Sequence, residues 1–241
     1  MIVISSIITA IRADLGRQAD QGTKETAQRF FKEEVKLYGV RSAAVRKVAN
    51  EYFSKIKDEN KLAIFSLCDG LFKSDYIEEA FIASEWAYLL RRRYEPSDFY
   101  VFERWIGDYV NNWAKCDTFC NHTMGSFMEQ YPEYVRNLKN WAKSENMWLR
   151  RASTVTLILP ARKGLFLKEV LEISDILMGD KEDLVQKGHG WVLKEASRRH
   201  QQEVFGYIMD RRKIMSRTAL RYAIEKMPRE MKKMAMEKKD I

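Results

Sequence analysis

Apolar residues recur at helical spacing in almost every segment of this chain, and the breaks between segments are short. AAVRKVANEYFSKI (43–56), IEEAFIASEWAYLLRRR (77–93), FLKEVLEISDIL (166–177) and TALRYAIEKM (218–227) place apolar side chains three and four residues apart. That is the period that gives a helix one buried stripe. Only 11 Gly and 4 Pro interrupt 241 residues, while Lys, Glu, Arg, Ala, Leu and Met, all favourable in helices, are abundant. The chain reads as all-α, with about a dozen helices. Breaks are expected at Tyr38-Gly39, at CDG (68–70), EPSD (95–98), Pro132, PARKG (160–164) and MGDKED (178–183). None is long enough to separate two domains, so residues 1–241 read as a single domain of antiparallel neighbouring helices.

A weak internal repeat sharpens this. EWAYLLRRR (85–93), WLRRASTVTLI (148–158), QKGHGWVLKEASRR (186–199) and SRTALRYAIEKM (216–227) share small or apolar residues at helix spacing with basic flanks. The last three begin at 148, 186 and 216, the period of a helix pair in a HEAT-like or armadillo-like α-solenoid. In such a stack the same helix of each pair lines one side, and residues at matching positions share one groove.

Charge is unevenly placed. The net charge is +8, and residues 187–241 alone hold 15 Lys/Arg against 7 Asp/Glu. A basic C-terminal third points to a polyanionic partner, nucleic acid ahead of an acidic membrane, or else to a solvated face. The opening MIVISSIITAIRADLG has no basic leader region and reaches Arg12 too soon to cross a bilayer. A cytoplasmic location with no membrane partner is therefore expected. Cys68, Cys116 and Cys120 are too few for a disulfide framework. On a helix His122 is rotated about 200° from Cys120, so CDTFCNH reads as buried small hydrophobes and not as a metal site. His189 and His200 have no evident acidic or thiol partner in sequence and read as solvated or core histidines.

Within NNWAKCDTFC (111–120), Trp113 and Asp117 are four residues apart, which on a helix puts indole and carboxylate on one face. Arg151 follows Asp117 by 34 residues and Trp191 follows Arg151 by 40, each about one repeat. The four side chains either face one cleft, or the tryptophans are core and the arginine a surface charge.

At these residues the sequence resembles the AlkD-type DNA alkylation repair glycosylases, a HEAT-like repeat family, over most of its length. FFKEEVKLYGVRSAAVRKV (30–48) is similar to the family's N-terminal block, in which a helix, an aromatic-Gly turn and a basic helix follow one another. NNWAKCDTFC matches its Trp-x3-Asp segment, SENMWLRRASTVTLIL its N-x-W-[LI]-x-R helix, and LVQKGHGWVLKEASRRH its Q-K-A-x-G-W-x-L-R-E helix. The chain departs from the pattern at Phe30, where a tyrosine is usual, at Lys194, where an arginine is usual, and at KGHG, where KAxG is commoner.

The resemblance implies an α-α superhelix with a concave groove for duplex DNA, and a glycosylase that excises cationic N3- or N7-alkylated purines. Asp117 becomes the catalytic carboxylate, Trp113 and Trp191 the aromatic walls, Arg151 a basic group of the same cleft, and Phe30 a further contact. Lys187, Lys194, Arg198, Arg199, Arg211, Arg212, Lys213, Arg217 and Arg221 would track phosphates without reading sequence. The lesioned nucleotide would be held through its backbone in an open groove.

An alkylated purine already carries positive charge and needs no general acid, whereas its sugar becomes oxocarbenium-like as the bond breaks. A carboxylate suits that developing charge, and indole faces add cation–π attraction. No cofactor and a monomer are expected. The alternative is a non-catalytic HEAT-repeat module binding DNA or another acidic partner, which gains nothing from an acid facing phosphates.

Overall fold

The structure, a computed structural model, describes residues 4–237, with side chains from residue 6 onward. Residues 1–3 of the stretch weighed as a leader, and residues 238–241 of the basic third, lie outside the described residues. The fold is all-α, with no strand among the described residues, and it divides into two compact units, one ending at Tyr109 and one beginning at Val110. No described helix is long and apolar enough to cross a membrane.

The first unit contains α1 (Ile4–Arg17), α2 (Gln21–Gln28), α3 (Ser42–Ile56), α4 (Lys61–Phe72), α5 (Ile77–Leu89), a 3-10 turn at Arg91–Arg93 and α6 (Asp98–Tyr109). Its core follows the periodicity: Ile7, Ile11 and Leu15 on α1 and Val45, Val48, Ala49 and Tyr52 on α3 are buried. Burial of these apolar stripes, at about 25 cal/mol per Å², is what holds helices that would be marginal alone. Trp86 on α5 is fully buried and its indole N–H donates to the Ala49 carbonyl at 2.8 Å, which ties α5 to α3.

The first unit corrects two expectations. CDG does not break the chain, since Gly70 lies inside α4. A Cβ there would stand 2.8 Å from the tip of Ile8 on α1, a side chain free to shift aside. Residues 29–41 before the basic helix are irregular, not helical up to the Tyr38-Gly39 turn. Their backbone donors are met by the buried Glu78 carboxylate, which accepts from the N–H groups of Tyr38, Gly39 and Val40 at 3.1, 2.8 and 3.1 Å. Gly39, at φ +87°, takes the left-handed turn the sequence anticipated.

The second unit comprises α7 (Trp113–Phe119), a π-turn (Cys120–Met124), α8 (Gly125–Gln130), a 3-10 turn (Pro132–Asn137), α9 (Leu138–Trp141), α10 (Met147–Val155), α11 (Ile158–Arg162), α12 (Leu167–Ile176), α13 (Asp183–Ala196), α14 (Gln201–Arg211), α15 (Arg217–Ala223) and α16 (Arg229–Met236). Helix α10 packs on α13, α13 on α15, and α14 on α16. Contact between helices two or three apart in the chain is how stacked pairs bury their faces, and the three helices that carry the repeat at 148, 186 and 216 are the ones that stack. The expected break at PARKG begins later than the sequence indicated, because Pro160 sits in the first turn of α11, where it lacks no helical partner.

Candidate functional site

Helix α7 begins at the asparagine pair. Asn112, in extended conformation, caps it by accepting the Lys115 backbone N–H at 3.1 Å. The Asn111 side-chain carbonyl accepts both the Asn112 amide at 3.1 Å and the Lys115 ammonium at 3.0 Å. Lys115, Ala114, Cys116 and Phe119 are buried, so Trp113 and Asp117 share the remaining, half-buried face. The expected juxtaposition on one helix face is present. One turn later the helix widens into its π-turn, where the Asn121 side-chain amide donates to the Asp117 carbonyl at 3.0 Å.

Helix α10, capped by Asn146, delivers Arg151 to Asp117. Arg151 Nε donates to Asp117 Oδ1 at 3.0 Å and Nη2 to Oδ2 at 2.9 Å, a two-point grip. Nη1 donates to the Leu184 carbonyl on α13. One guanidinium thus joins α7, α10 and α13. Arg151 is only 4% exposed, while the Asp117 side chain keeps 17%. Burial pushes the Asp117 carboxyl up and Arg151 pulls it down, and the net shift is above the usual carboxylate value. Arg151 is held above its usual range by Asp117 against the opposing effect of burial. A carboxylate offers about four lone-pair positions, so Asp117 retains acceptor capacity toward solvent.

Helix α13, which Arg151 touches at Leu184, carries further residues expected from the sequence. Lys187, Trp191 and Lys194, spaced four and three apart, form a half-buried stripe. Gly188 and Gly190 set its approach to the neighbouring helices. A Cβ at Gly188 would stand 2.8 Å from Thr154 Oγ1 on α10, and one at Gly190 would stand 2.5 Å from the Ala219 carbonyl and from Tyr222 Cβ on α15. The departure KGHG therefore accompanies a threonine hydroxyl where an alanine methyl would go. His189 between them is fully buried, with Nδ1 3.4 Å from Gln186 Oε1 and Nε2 unpaired, and burial pushes it down to about 4. It is a core histidine. His200 does have an acidic neighbour, Glu203 at 3.8 Å, and Nε2 lies 3.0 Å from the Gly164 carbonyl.

Many of the basic residues already have partners. Lys187 pairs with Asp183 at 2.8 Å, Lys194 with Glu225 at 3.0 Å, Arg198 with Glu195 at 2.6 Å and Arg211 with Asp175 at 2.6 Å. Arg212 donates to the Met234 carbonyl. Arg199, Lys213, Arg217 and Arg221 make no ion pair among the described residues. Phe30, in the first unit, follows α2 in a turn and is 70% exposed. Cys116 and Cys120 are fully buried and His122 is exposed; among the described residues no three His, Cys, Asp or Glu side chains gather as a metal site. Tyr222 and Glu225 beside Lys194 were not singled out from sequence; their only signal there is membership of the last repeat.

The sequence matches the family described as DNA alkylation repair enzyme over residues 11–227. No curated protein matches it. Among solved structures, a predicted DNA alkylation repair enzyme from Enterococcus faecalis is similar, with a TM-score of 0.79 and 15% identity over 88% of this chain and 98% of that one. At that identity the likeness concerns the fold, which is the HEAT-like helical architecture.

Proposed function

The chain belongs to the DNA alkylation repair enzyme family, and on that premise we propose that it is a DNA glycosylase, with Asp117 as its catalytic carboxylate. Its substrate is duplex DNA carrying N3- or N7-alkylated purines, whose cationic base is the leaving group. The observation that carries this reading is the Asp117 carboxylate, fixed by Arg151 through two hydrogen bonds yet still open to solvent, on the same helix face as Trp113.

In the reaction the bond between C1′ and the purine nitrogen breaks and its electron pair neutralises the base. Positive charge moves to the sugar. Asp117, already oriented, stabilises that charge without reorganising, and its free lone pairs hold the water whose oxygen bonds to C1′ and whose proton leaves to the carboxylate or to solvent. Trp113 and Trp191 supply indole faces, each contributing about 0.5–2 kcal/mol toward a cation. Arg151 offsets the repulsion between Asp117 and the phosphodiester backbone. Residues 1–241 act as one functional domain, as a monomer in the cytoplasm, on duplex DNA.

The test is incubation with duplex DNA containing 7-methylguanine and detection of the free base. A second reading has one observation in its favour: Arg151 is nearly inaccessible and also bonds Leu184, as a purely structural brace would. A protein that binds the duplex and releases no base supports that second reading, a non-catalytic DNA-binding module.

A further inference from the structure

Further along α13 from the Leu184 carbonyl that Arg151 bonds, α13 and α15 carry a second cluster. Lys194 runs between two aromatic rings, its ammonium 5.9 Å from the centre of Trp191 and 5.7 Å from that of Tyr222. Its side chain is 12% exposed, so little of it is open to solvent. There it meets Glu225 at 3.0 Å. The arrangement depends on Gly190, the one residue type that lets α13 touch the α15 backbone closely enough to set Tyr222 against Lys194.

The two halves of this ion pair are not alike. Lys194 is mostly covered, with its ammonium held near both the Trp191 and the Tyr222 rings. Glu225 lies on the surface, with 47% of its side chain exposed. Its other oxygen is 3.4 Å from Lys226 Nζ, so Glu225 keeps a cationic partner when Lys194 is withdrawn. Exposed pairs of this kind are weak and screened by salt. A phosphodiester, by contrast, brings a full charge whose contact with lysine releases condensed counterions.

We infer that Lys194, bracketed by Trp191 and Tyr222, is a subsite for a backbone phosphate, and that Glu225 holds its place in the free protein and yields it when a duplex docks. The inference rests on the reading of the chain as a DNA-binding repair enzyme, and it goes further by naming where one phosphate adjacent to the Trp191 wall is seated. The exchange keeps the lysine oriented between encounters and leaves its charge paired before and after docking.

The experiment measures affinity for an undamaged duplex by fluorescence anisotropy over a range of salt, with circular dichroism to confirm folding. Glu225→Gln is expected to tighten binding about two- to fivefold, the weight of an exposed ion pair. Lys194→Met, which keeps the stem in its bracket, is expected to weaken binding and to lower the slope of log K against log salt by about 0.9, one phosphate contact. The double variant should match Lys194→Met. Tightening by Glu225→Gln that persists without Lys194 would mean a general field effect, and overturns the subsite. Unchanged affinity in Glu225→Gln overturns it as well, an outcome read without any Lys194 variant, and where Lys194→Met does not fold Lys194→Gln takes its place in the double-variant comparison. A wild-type protein with no affinity for duplex DNA overturns the subsite and the DNA-binding reading together, whereas wild-type binding with Glu225→Gln unchanged overturns the subsite alone.

Discussion

Arg151 grips Asp117 from a helix 34 residues away in sequence, with Nε and Nη2 on the two carboxylate oxygens at 3.0 and 2.9 Å. The same guanidinium reaches the Leu184 carbonyl through Nη1, so the catalytic candidate and the helix bearing Trp191 are registered by one side chain.

Asp117→Asn preserves the shape of the carboxylate and removes its charge. Single-turnover release of 7-methylguanine at saturating enzyme should slow roughly 10²–10³-fold, or about 2.7–4 kcal/mol, while duplex binding holds or tightens. Trp113→Ala and Trp191→Ala should each cost less, since each removes a dispersed contact and no full charge. A folded Asp117→Asn protein that excises at the wild-type rate would move the chemistry elsewhere.

Arg151→Ala leaves Asp117 half-buried without its partner and the Leu184 carbonyl without its donor. Breaking a buried pair by removing one member costs about 3–5 kcal/mol. Denaturant unfolding should show that loss together with slower excision and weaker binding. A variant that loses excision alone, with stability intact, would contradict the bracing of three helices by one arginine.

The acid side of the rate profile follows from Asp117. Its carboxyl sits above the usual value because burial outweighs Arg151, and only the ionised form stabilises a cation. The rate should therefore fall with decreasing pH through a midpoint higher than the ordinary aspartate value of about 3.9. Single-turnover rates between neutral and acidic pH give the midpoint, and a midpoint at or below that value contradicts the balance described.

His189 makes a separate prediction about stability. Burial holds it at about 4 in the folded protein, below the unfolded value of about 6.5. The unfolded chain binds the proton more tightly, so stability is fully present above about pH 6.5 and is lost as pH falls toward 4, by about 3 kcal/mol in all. Urea unfolding at pH 7 and near pH 4.5 should show this loss, and His189→Gln should remove most of the difference.

Three helical glycines should respond differently to alanine. At Gly190 the new Cβ would meet the Ala219 carbonyl and Tyr222 Cβ, both 2.5 Å away on α15, and the substitution should cost about 1–3 kcal/mol or more. At Gly188 the obstacle is the Thr154 hydroxyl, so Gly188→Ala should be milder and relieved by Thr154→Ala. At Gly206, on the exposed face of α14, nothing lies within 4 Å, and the substitution should stabilise by about 0.5–1 kcal/mol. Thermal unfolding of the three variants checks the order.

What the sequence determined by itself is what depends on neighbours along the chain. The 3.6-residue period placed the helices, put Trp113 and Asp117 on one face, and marked the segments at 148, 186 and 216 whose helices α10, α13 and α15 stack. Tertiary structure decided the rest. Gly70 reads as a break and is helical inside α4, whose buried residues run on through Leu71 and Phe72; residues 29–41 hold an irregular path because Glu78, buried on α5, meets three of their backbone donors. In sequence Arg151 reads equally well as a surface cation, and Lys194 gives no sign of Tyr222 or Glu225. Periodicity is a local property and survives in one dimension, whereas which charge meets which, and how far burial shifts Asp117, depend on the distance and desolvation set only when separate helices pack.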